Sequence, residues 1–578
     1  MPDALAIASG LPPGARPVAI GGMAGWLHEG GAHGVVLCGG HGFEALSAHL
    51  GWHVLASLLA RSGLTVLRFD YPGDGDSLDV PQGESMIAAA IAGTRAAVDW
   101  LAAQPGIARV SCVALRIGAL FAAEALRDWP ALDSLVLLAP PVSGRAYVRE
   151  LGITAKLFAE VRNYPSAPNG AIDLCGYRVE ASDSAELLRL KAGTWPAARR
   201  LLVVDRPGQT TVATGWDDPG EKAAARREFD DYAAFMQDPS RAVTPFATFN
   251  AVADWLAGPD QPTSDAVEPV LPTSPAEAIT GPNFSEERLI FGTNRHLAGV
   301  ICRPLVPRAD KASLIILNAG ANSHEGWARG AVEQARRLAG DGITSLRFDL
   351  SGLGDSIWFE NGPRPHLYSE QHIRDAIEAV DLMEGLGYAH PLLSGLCAGG
   401  YVAFHAAARD GRIKKVVTAN VLRLIWTAED SLEAYERQVI QTLAAYREQF
   451  KSGRALRRIL SGEVPLKRMA EVGAKFASGC VSRLAARLGV PMPLSEPTRQ
   501  VRAMLTTLMA RGASIVFVHS ALDQSLSETE RHFGPGFAFA RQQKGTVFMT
   551  IPSADHELTP IEARMRYLDI IRRQLTGD

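Results

Sequence analysis

The chain has 578 residues, a formal net charge of -4 and a hydrophobic content of 47%. A chain of this length exceeds what one hydrophobic core supports, so we expect more than one domain. The small net charge excludes a polyelectrolyte partner such as a nucleic acid for the chain as a whole.

The opening residues, MPDALAIASGLPPG, lack the basic and long apolar regions of a secretory signal, and no run approaches the roughly 18 apolar residues of a membrane span. From this pattern we expect a cytoplasmic protein without a membrane span. The six cysteines are widely spaced and include no C-x-x-C pair. We therefore expect neither a disulfide framework nor a metal site, and we expect no cofactor.

An internal duplication organises the chain. Residues 64–77 read LTVLRFDYPGDGDS, and residues 343–356 read ITSLRFDLSGLGDS. An apolar run and a helix-like stretch precede each copy, and a second helical stretch and a further apolar strand follow it. This repeated order predicts an α/β fold in each half, with a mostly parallel sheet covered by helices on both faces.

The segment between the halves is rich in Pro, Ser, Thr and acidic residues and has no apolar periodicity, which indicates a linker. We predict a first domain over residues 1–258, a linker over 259–283 and a second domain over 284–578. In each half a long interruption before the last strands predicts a helical lid insertion, at about residues 420–500 in the second half. Such a lid would cover the strand ends where open α/β sheets bind ligands.

The duplicated loop F-D-x-x-G-x-G-D-S carries Asp70, Asp76 and Ser77 in the first half and the same residues in the second. We expect it to be structural, because its glycines and acidic side chains suit a tight turn with local hydrogen bonds. It lacks the lysine and the spacing of a phosphate-binding loop.

In the first half, the small-residue stretch Ala114-Leu115-Arg116-Ile117-Gly118 stands where a strand-to-helix turn would present a nucleophile. Matching the two halves places Arg116, Gln209 and Arg241 at the three positions of a catalytic triad, and none of them can serve there. We therefore predict a degenerate, non-catalytic half. Its arginines could bind an anion or could pair with local carboxylates.

In the second half, Gly395-Leu396-Cys397-Ala398-Gly399 has the G-x-S-x-G form of a nucleophile elbow, with a thiol in place of the hydroxyl. A thiol requires a nearby base, and His556 stands in a loop between an apparent strand and the C-terminal helix. Asp523 follows the preceding strand. The order Cys397, Asp523, His556 is the nucleophile, acid, histidine order of α/β-hydrolases.

The oxyanion hole of this site should combine the backbone N–H of Ala398 with one from the loop that contains Gly320 and Ala321. Two other histidines need an assignment. His519 lies at a strand end near Asp523 and is the main competitor for the role of base, whereas His405 should be a packed residue. The alternative for Cys397 itself is packing at a strand-to-helix junction.

The second half resembles the α/β-hydrolase superfamily, and more narrowly the bacterial hydrolases found with exosortase and exopolysaccharide loci. The resemblance rests on the stretches LNAG (317–320), LRFDLSGLGDS (346–356), GLCAGG (395–400), RRILSGEVPL (457–466) and ADHELTP (554–560). The first half resembles a second branch of the group through LRFDYPGDGDS and PPVSGRAYVREL. The resemblance implies an α/β-hydrolase fold in each half and a Cys-His-Asp site in the second.

A cysteine nucleophile would form a thioester with an acyl group, so we expect an acyl hydrolase or acyltransferase that acts on a small-molecule ester or thioester. Residues 451–487 carry nine Lys/Arg against two Glu. This basic stretch could dock an acyl carrier protein or coenzyme A, or it could be a solvated helical face. The alternatives are a simple carboxylesterase or lactone hydrolase, and a binding scaffold with an inert Cys397.

Overall fold

The computed structural model describes residues 15–162, 167, 169–191, 197–208, 224–258, 278–356, 367–427, 430 and 493–577. It divides into two compact units, one of Met1–Pro391 with Leu575–Asp578 and the other of Leu392–Gln574. Each unit is described by itself below. The predicted boundaries at 258 and 284 stay a prediction.

The first half of the chain builds an eight-stranded sheet in the first unit, in the order β1-β2-β4-β3-β5-β6-β9-β10. Strands β1, β2 and β4 pair antiparallel, and the remaining pairs are parallel. Strands β7 and β8 form a separate antiparallel hairpin. The strands are β1 Arg16–Ile20, β2 Met23–His28, β3 His33–Cys38, β4 Leu64–Phe69, β5 Arg109–Leu115, β6 Leu132–Leu138, β7 Ile172–Leu174, β8 Tyr177–Val179, β9 Ala198–Asp205 and β10 Ala225–Glu228.

Helices cover both faces of this sheet. Along β3, Val36 and Cys38 pack into one apolar cluster, while Val35 and Leu37 pack into another. Residues on successive positions of a strand point to opposite faces, so the two clusters are the two covered faces. The helices of this half are α1 Phe43–Arg61, α2 Met86–Ala102, α3 Gly118–Ala125, α4 Gly144–Arg162, α5 Ala181–Leu187, α6 Tyr232–Phe235 and α7 Phe246–Ala257.

The second half repeats the strand succession. In the first unit the order is β11-β12-β13-β15-β14, and in the second unit it is β16-β17-β18-β19. All pairs of the second unit are parallel. The strands are β11 Ile279–Thr280, β12 Phe284–Phe291, β13 Leu297–Pro304, β14 Ser313–Leu317, β15 Thr344–Phe348, β16 Leu392–Leu396, β17 Lys415–Ala419, β18 Ser514–Ser520 and β19 Thr546–Ile551.

The helices of the second half alternate with these strands. They are the 3-10 helix Trp327–Arg329, α8 Gly330–Gly340, α9 Glu370–Gly385, α10 Ala398–Arg409, α11 Glu496–Ala510, α12 Ser525–Phe533, the 3-10 helix Pro535–Phe537, α13 Ala538–Arg541 and α14 Ile561–Thr576. The predicted fold class, with mostly parallel sheets and helices on both sides, is confirmed. No helix in the described part of the chain is long and apolar enough to cross a membrane.

The predicted insertions are described to different extents. In the first half, α4, the β7–β8 hairpin and α5 stand between β6 and β9, so that insertion is part helix and part hairpin. In the second half, most of the predicted lid, including residues 431–492, lies outside the described residues. So do residues 259–277 of the predicted linker, whereas its last part contains β11, which pairs with β12.

The duplicated loop forms the same tight turn in both halves. Asp70 Oδ2 accepts a hydrogen bond from the N–H of Asp76 at 3.0 Å, and Ser77 Oγ donates to the carbonyl of Asp70 at 2.7 Å. In the second half Asp349 Oδ2 accepts from the N–H of Asp355 at 2.9 Å. The side chains of Asp70 and Asp349 therefore stabilise the two turns. The side chains of Asp76 and Asp355 are not used within the turns and point outward.

The outward Asp of each loop pairs with an arginine on the strand that precedes the other loop, within the first unit. Arg68 Nη2 donates to Asp355 Oδ1 at 2.7 Å, and Arg347 Nη2 donates to Asp76 Oδ1 at 2.9 Å. The pKa of each aspartate lies well below its ordinary value, because attraction from the cations, His324 among them, outweighs the cost of burial. The two copies thus meet reciprocally, as the subunits of a two-fold dimer do.

Buried Arg347 should contribute strongly to stability. It also donates to Glu286 Oε1 at 2.7 Å, and its side chain is fully buried. Substitution Arg347→Met removes the cation that Asp76 and Glu286 share and leaves them only His324 and Arg336, which should lower the free energy of unfolding by about 3–5 kcal/mol. Urea denaturation followed by circular dichroism measures this loss.

The neighbouring pair Arg303–Glu287 provides a matched control, because it has the same 2.7 Å distance but both side chains are more than a third exposed. Arg303→Met should cost about 0–1 kcal/mol. Equal losses in the two variants would contradict a special role for the buried pair.

Candidate functional site

Cys397 stands at a strained turn between β16 and α10. Its φ of 54° is in the left-handed region, which residues other than glycine rarely adopt. Its N–H donates to the carbonyl of Ala419 on the neighbouring strand at 2.9 Å, which holds the turn in place. A Cβ at Gly395 would lie 2.2 Å from the backbone of Gly399, so the glycines of the elbow are required for the close strand-to-helix approach.

The first half has the same turn without a nucleophile. Arg116 has φ 53°, and its N–H donates to the carbonyl of Leu138 at 2.9 Å. The strained elbow is therefore built twice. Strain of this kind persists where the surrounding backbone enforces it, and it is usual at active sites.

Asp523 and His556 meet at the ends of strands β18 and β19 in the second unit. His556 Nδ1 lies 2.8 Å from Asp523 Oδ2, and Asp523 Oδ1 accepts from the N–H of Ser525 at 2.8 Å. The carboxylate thus orients the ring, and the first turn of α12 orients the carboxylate. This is the acid–histidine part of a triad arrangement.

Two polar residues that the sequence analysis did not single out fix the loop of His556. Fully buried Asn420 donates from Nδ2 to the carbonyl of His556 at 2.8 Å, and its Oδ1 accepts from the N–H of Ser520 at 2.7 Å. Ser520 Oγ in turn donates to the carbonyl of Asp555 at 2.8 Å. Asn420 and Ser520 each stand at the carboxyl end of a strand, which is the signal that could have found them.

The electrostatics of the site favour a charged ring. Burial lowers the pKa of His556, but attraction from Cys397 and hydrogen bonding to Asp523 outweigh it and raise the pKa well above its ordinary value. The pKa of Asp523 is lowered, because its hydrogen bonds to His556 and Ser525 outweigh burial. Among the described residues, Nε2 of His556 has no partner of well-formed hydrogen-bond geometry. Charge attraction and hydrogen bonding to Cys397 both contribute to the raised pKa of His556.

The other two histidines have structural surroundings. Nδ1 of His519 lies 2.9 Å from Ser525 Oγ, its ring stacks on Phe537, and burial lowers its pKa to about 4. His519 is thus a neutral ring bonded to a serine, whereas Asp523 bonds to His556. His405 Nε2 lies 3.0 Å from the carbonyl of Leu424, as expected of a packed residue.

The predicted oxyanion donors lie in different units. Ala398 is the first residue of α10, so its N–H is one of the donors that have no acceptor within the helix. Gly320 and Ala321 form a turn after β14 in the first unit, where Asn322 N–H donates to the carbonyl of Ala319 at 3.1 Å. Their joint role in an oxyanion hole stays a prediction.

At the elbow of the first half, Arg116 pairs with two carboxylates. It lies 2.9 Å from Glu44 and 3.0 Å from Glu150, its guanidinium lies 5.7 Å from the ring centre of Tyr147, and it is 2% exposed. The sequence left two alternatives for Arg116, binding of an anion and pairing with local carboxylates. The structure shows the pairing.

Gln209 lies outside the described residues, and Arg241 is exposed in a turn before α7. Within the described strands the register agrees with the matching of the halves, because Val204 pairs with Leu138 as Val518 pairs with Ala419. Within the described ranges, no group of three or more His, Cys, Asp and Glu side chains could hold a metal ion.

Residues 312–462 match a family model described as alpha/beta hydrolase fold. The match includes Gly320, Ala321 and Cys397 and ends before Asp523 and His556. Together with the strand succession, it assigns the α/β-hydrolase fold, with two sheet-bearing halves. None of the curated proteins compared matches the chain.

Several solved structures are similar to about half of the chain. A dienelactone hydrolase from Anabaena variabilis is 11% identical with a TM-score of 0.31, and the match covers 51% of this chain and 98% of that one. An alpha-beta serine hydrolase homologue from Coxiella burnetii is 11% identical with a TM-score of 0.30, covering 50% and 97%. A thermophilic esterase from Thermogutta terrifontis is 20% identical with a TM-score of 0.28, covering 50% and 98%.

The raised pKa of His556 can be measured directly. NMR titration of the histidine rings should show His556 still protonated at pH 7, and Asp523→Asn should lower its midpoint by roughly 1 to 2 pH units, because the ring loses an ionised partner. His519, with a pKa of about 4, should stay neutral throughout as an internal control. A His556 midpoint near its ordinary value that Asp523→Asn leaves unmoved would contradict the assignment.

Proposed function

We propose that the protein is a cysteine-nucleophile acyl hydrolase or acyltransferase that acts on an ester or thioester through a covalent acyl-enzyme. The observation that carries the proposal is His556, which is bonded to Asp523 and has a pKa raised by the nearby Cys397. A protonated imidazole beside a cysteine is the environment that stabilises a reactive thiolate. A packed, inert cysteine would not require an oriented, charged histidine.

In the proposed mechanism the Cys397 sulfur attacks the substrate carbonyl carbon, and the carbonyl electrons move to the oxygen. Backbone N–H groups of Ala398 and of Gly320 or Ala321 stabilise the resulting oxyanion. When the intermediate collapses, the departing alkoxide or thiolate takes the proton of His556, which leaves a thioester on Cys397. Asp523 keeps the ring oriented throughout.

In the second step a water or another acceptor gives its proton to His556 and attacks the thioester. The sulfur leaves as a thiolate, and the charged ring forms again. When the donor is itself a thioester, its exchange with Cys397 is nearly balanced in energy. Acyl transfer is then feasible beside hydrolysis, which distinguishes the proposal from a simple carboxylesterase or lactone hydrolase.

Covalent catalysis predicts an acyl adduct. Incubation with an acyl-pantetheine thioester should add one acyl group per chain in intact-mass measurements, and Cys397→Ala should abolish the adduct and reduce turnover at least a hundredfold. Cys302→Ala is the matched control, because burial raises the pKa of that fully buried thiol and makes it unreactive.

An adduct that persists in Cys397→Ala would refute Cys397 as the nucleophile. The absence of both adduct and turnover in the unaltered protein would favour the binding-scaffold alternative. Turnover of small esters with no reaction of thioesters would favour a simple esterase.

We propose that the first half serves the site as a scaffold for the loop of Gly320 and Ala321. Just after this loop, His324 is buried with Nδ1 2.7 Å from Asp349 Oδ2 and Nε2 2.8 Å from Asp76 Oδ2 of the first half. Further along, Trp327 Nε1 donates to the carbonyl of Cys175 at 2.6 Å. A degenerate half would thus be retained because it holds a loop of the other half.

Arg329 offers a test of this scaffold role. It donates to the carbonyls of Gly75 and Ser77 at 2.8 Å each, and it has a φ of 57°. Arg329→Met should loosen the loop and lower kcat roughly tenfold with little change in KM, because oxyanion donors act mainly in the transition state. Arg329→Lys should restore part of the activity.

Arg337→Met serves as the control, since Arg337 on α8 is half-exposed and its ion pair is with Glu333 of the same helix. An equal effect of Arg329→Met and Arg337→Met, or a change in KM alone, would contradict the positioning role.

The basic stretch 451–487 lies outside the described residues, and we propose it as a docking site for an acidic acyl carrier protein or coenzyme A. Charge reversal at Arg457 and Arg458 should raise KM for carrier-bound donors several-fold and leave small esters unaffected, because long-range attraction acts on the charged carrier. Steady-state kinetics on both donor types measure the difference. Equal losses on both would count against docking.

A further inference from the structure

A cavity of about 470 Å³ in the first unit has no part in the site described above. It is lined by the segments that follow β3 and β4, by α4 and the β7–β8 hairpin, and by the start of α8. It therefore lies at the carboxyl ends of parallel strands, where open α/β sheets bind their ligands. Its volume is that of a small-molecule pocket.

Side chains in the wall of the cavity cover Arg116, the elbow residue of the first half. Glu44 and Tyr147 line it, and these side chains hold Arg116 from the cavity side: Glu44 Oε1 lies 2.9 Å from Arg116 Nε, and the Tyr147 hydroxyl donates to Glu44 Oε2 at 3.2 Å. Arg116 itself is 2% exposed. A ligand here would meet a closed network instead of a nucleophile, so the cavity is suited to binding.

One wall of the cavity is apolar. Phe43 and Tyr177 pack edge to face with ring centres 6.4 Å apart, and aliphatic side chains continue the surface. The aliphatic members are Met86, Leu151, Leu174, Val179 and Val332. Such a wall suits an alkyl chain or an aromatic ring.

Cationic side chains line another part of the cavity, and one of them has an N–H group without an acceptor among the described residues. His41 lines the cavity and its Nδ1 lies 2.6 Å from Asp74, an attraction that outweighs burial and raises the pKa of the ring. Among the described residues, Nε2 of His41 has no hydrogen-bond partner, so it is the donor left for a ligand.

Four arginines also line the cavity. Arg329 and Arg336 are both held by Asp79 and the carbonyl of Ser77. Arg178 and Arg337 are each paired with one carboxylate, and their side chains are 41% and 47% exposed.

Exposed pairs of this kind are weak and can exchange for a ligand anion. Four carboxylates also line the cavity and balance the charge of the four arginines, so that His41 supplies the remaining positive charge, which favours a monoanion over a dianion such as a phosphate monoester. The carboxylates are Glu44, Asp74, Asp79 and Glu333.

We propose that this cavity binds a carboxylic acid with an apolar body, whose carboxylate is held by His41 with Arg178 or Arg337 and whose chain lies on the Phe43–Tyr177 wall. The site is independent of Cys397, and its lining comes from the first half and from α8 of the second half with the 3-10 helix before it, all within the first unit. The proposal does not require the function proposed for the second half.

Binding of octanoate to the Cys397→Ala protein, measured by isothermal titration calorimetry, tests the proposal. We expect saturable binding with one site per chain that 1-octanol and octyl phosphate reproduce at least fivefold more weakly. Leu151→Trp and Met86→Trp, on two different helices, should each weaken octanoate at least tenfold by filling the cavity. His41→Gln should remove the preference for octanoate over 1-octanol.

Leu157→Trp is the matched control, because Leu157 is on the same helix as Leu151 but is 58% exposed and outside the cavity. It should leave binding unchanged, and circular dichroism verifies that each variant is folded. Octanoate binding that survives both cavity-filling variants, an absence of binding, or an equal affinity for 1-octanol would overturn the proposal. Tighter binding of octyl phosphate would overturn the choice of a carboxylate.

Discussion

The reciprocal pairing of Arg68 with Asp355 and of Arg347 with Asp76 is the interaction on which the organisation of this chain depends. Buried ions are costly unless each has its partner, so the two copies of the loop are each satisfied by the other. The same aspartates bind His53 and His324, which extends the network into the segment after β14. A duplicated sequence is in this way converted into an intramolecular counterpart of a two-fold dimer.

The two halves differ in the side chain at the elbow although its backbone is the same. Arg116 and Cys397 occupy the same strained backbone position, with φ angles of 53° and 54°. In the first half the side chain is neutralised by Glu44 and Glu150 and closes the site. In the second half the backbone strain presents a thiol near a charged histidine. The same backbone turn thus carries two different side chains in different surroundings.

Much of this could be predicted from local pattern. The apolar runs and the G-x-C-x-G turn predict buried parallel strands and the elbow, and the order of residues predicts the Asp523–His556 contact. The duplicated loop was predicted as structural, and its internal hydrogen bonds confirm that. The partners of the outward aspartates, Asp76 and Asp355, could not be predicted from the sequence. Arg347 binds Asp76 only because the fold brings the two copies face to face. Asn420 was missed for a similar reason: its partners, the carbonyl of His556 and the N–H of Ser520, lie 136 and 100 residues away in the sequence.

We propose that Cys397 reacts as a thiolate beside the protonated ring of His556. The most direct measurement is the rate of iodoacetamide alkylation of Cys397 as a function of pH, followed by mass spectrometry of the peptide that contains it. We expect fast alkylation that persists at pH 6, because the His556 ring is still charged there, and that falls at least tenfold in His556→Gln. Alkylation at pH 6 that is as slow as that of an unassisted thiol, and unchanged by His556→Gln, would show that the histidine does not activate Cys397.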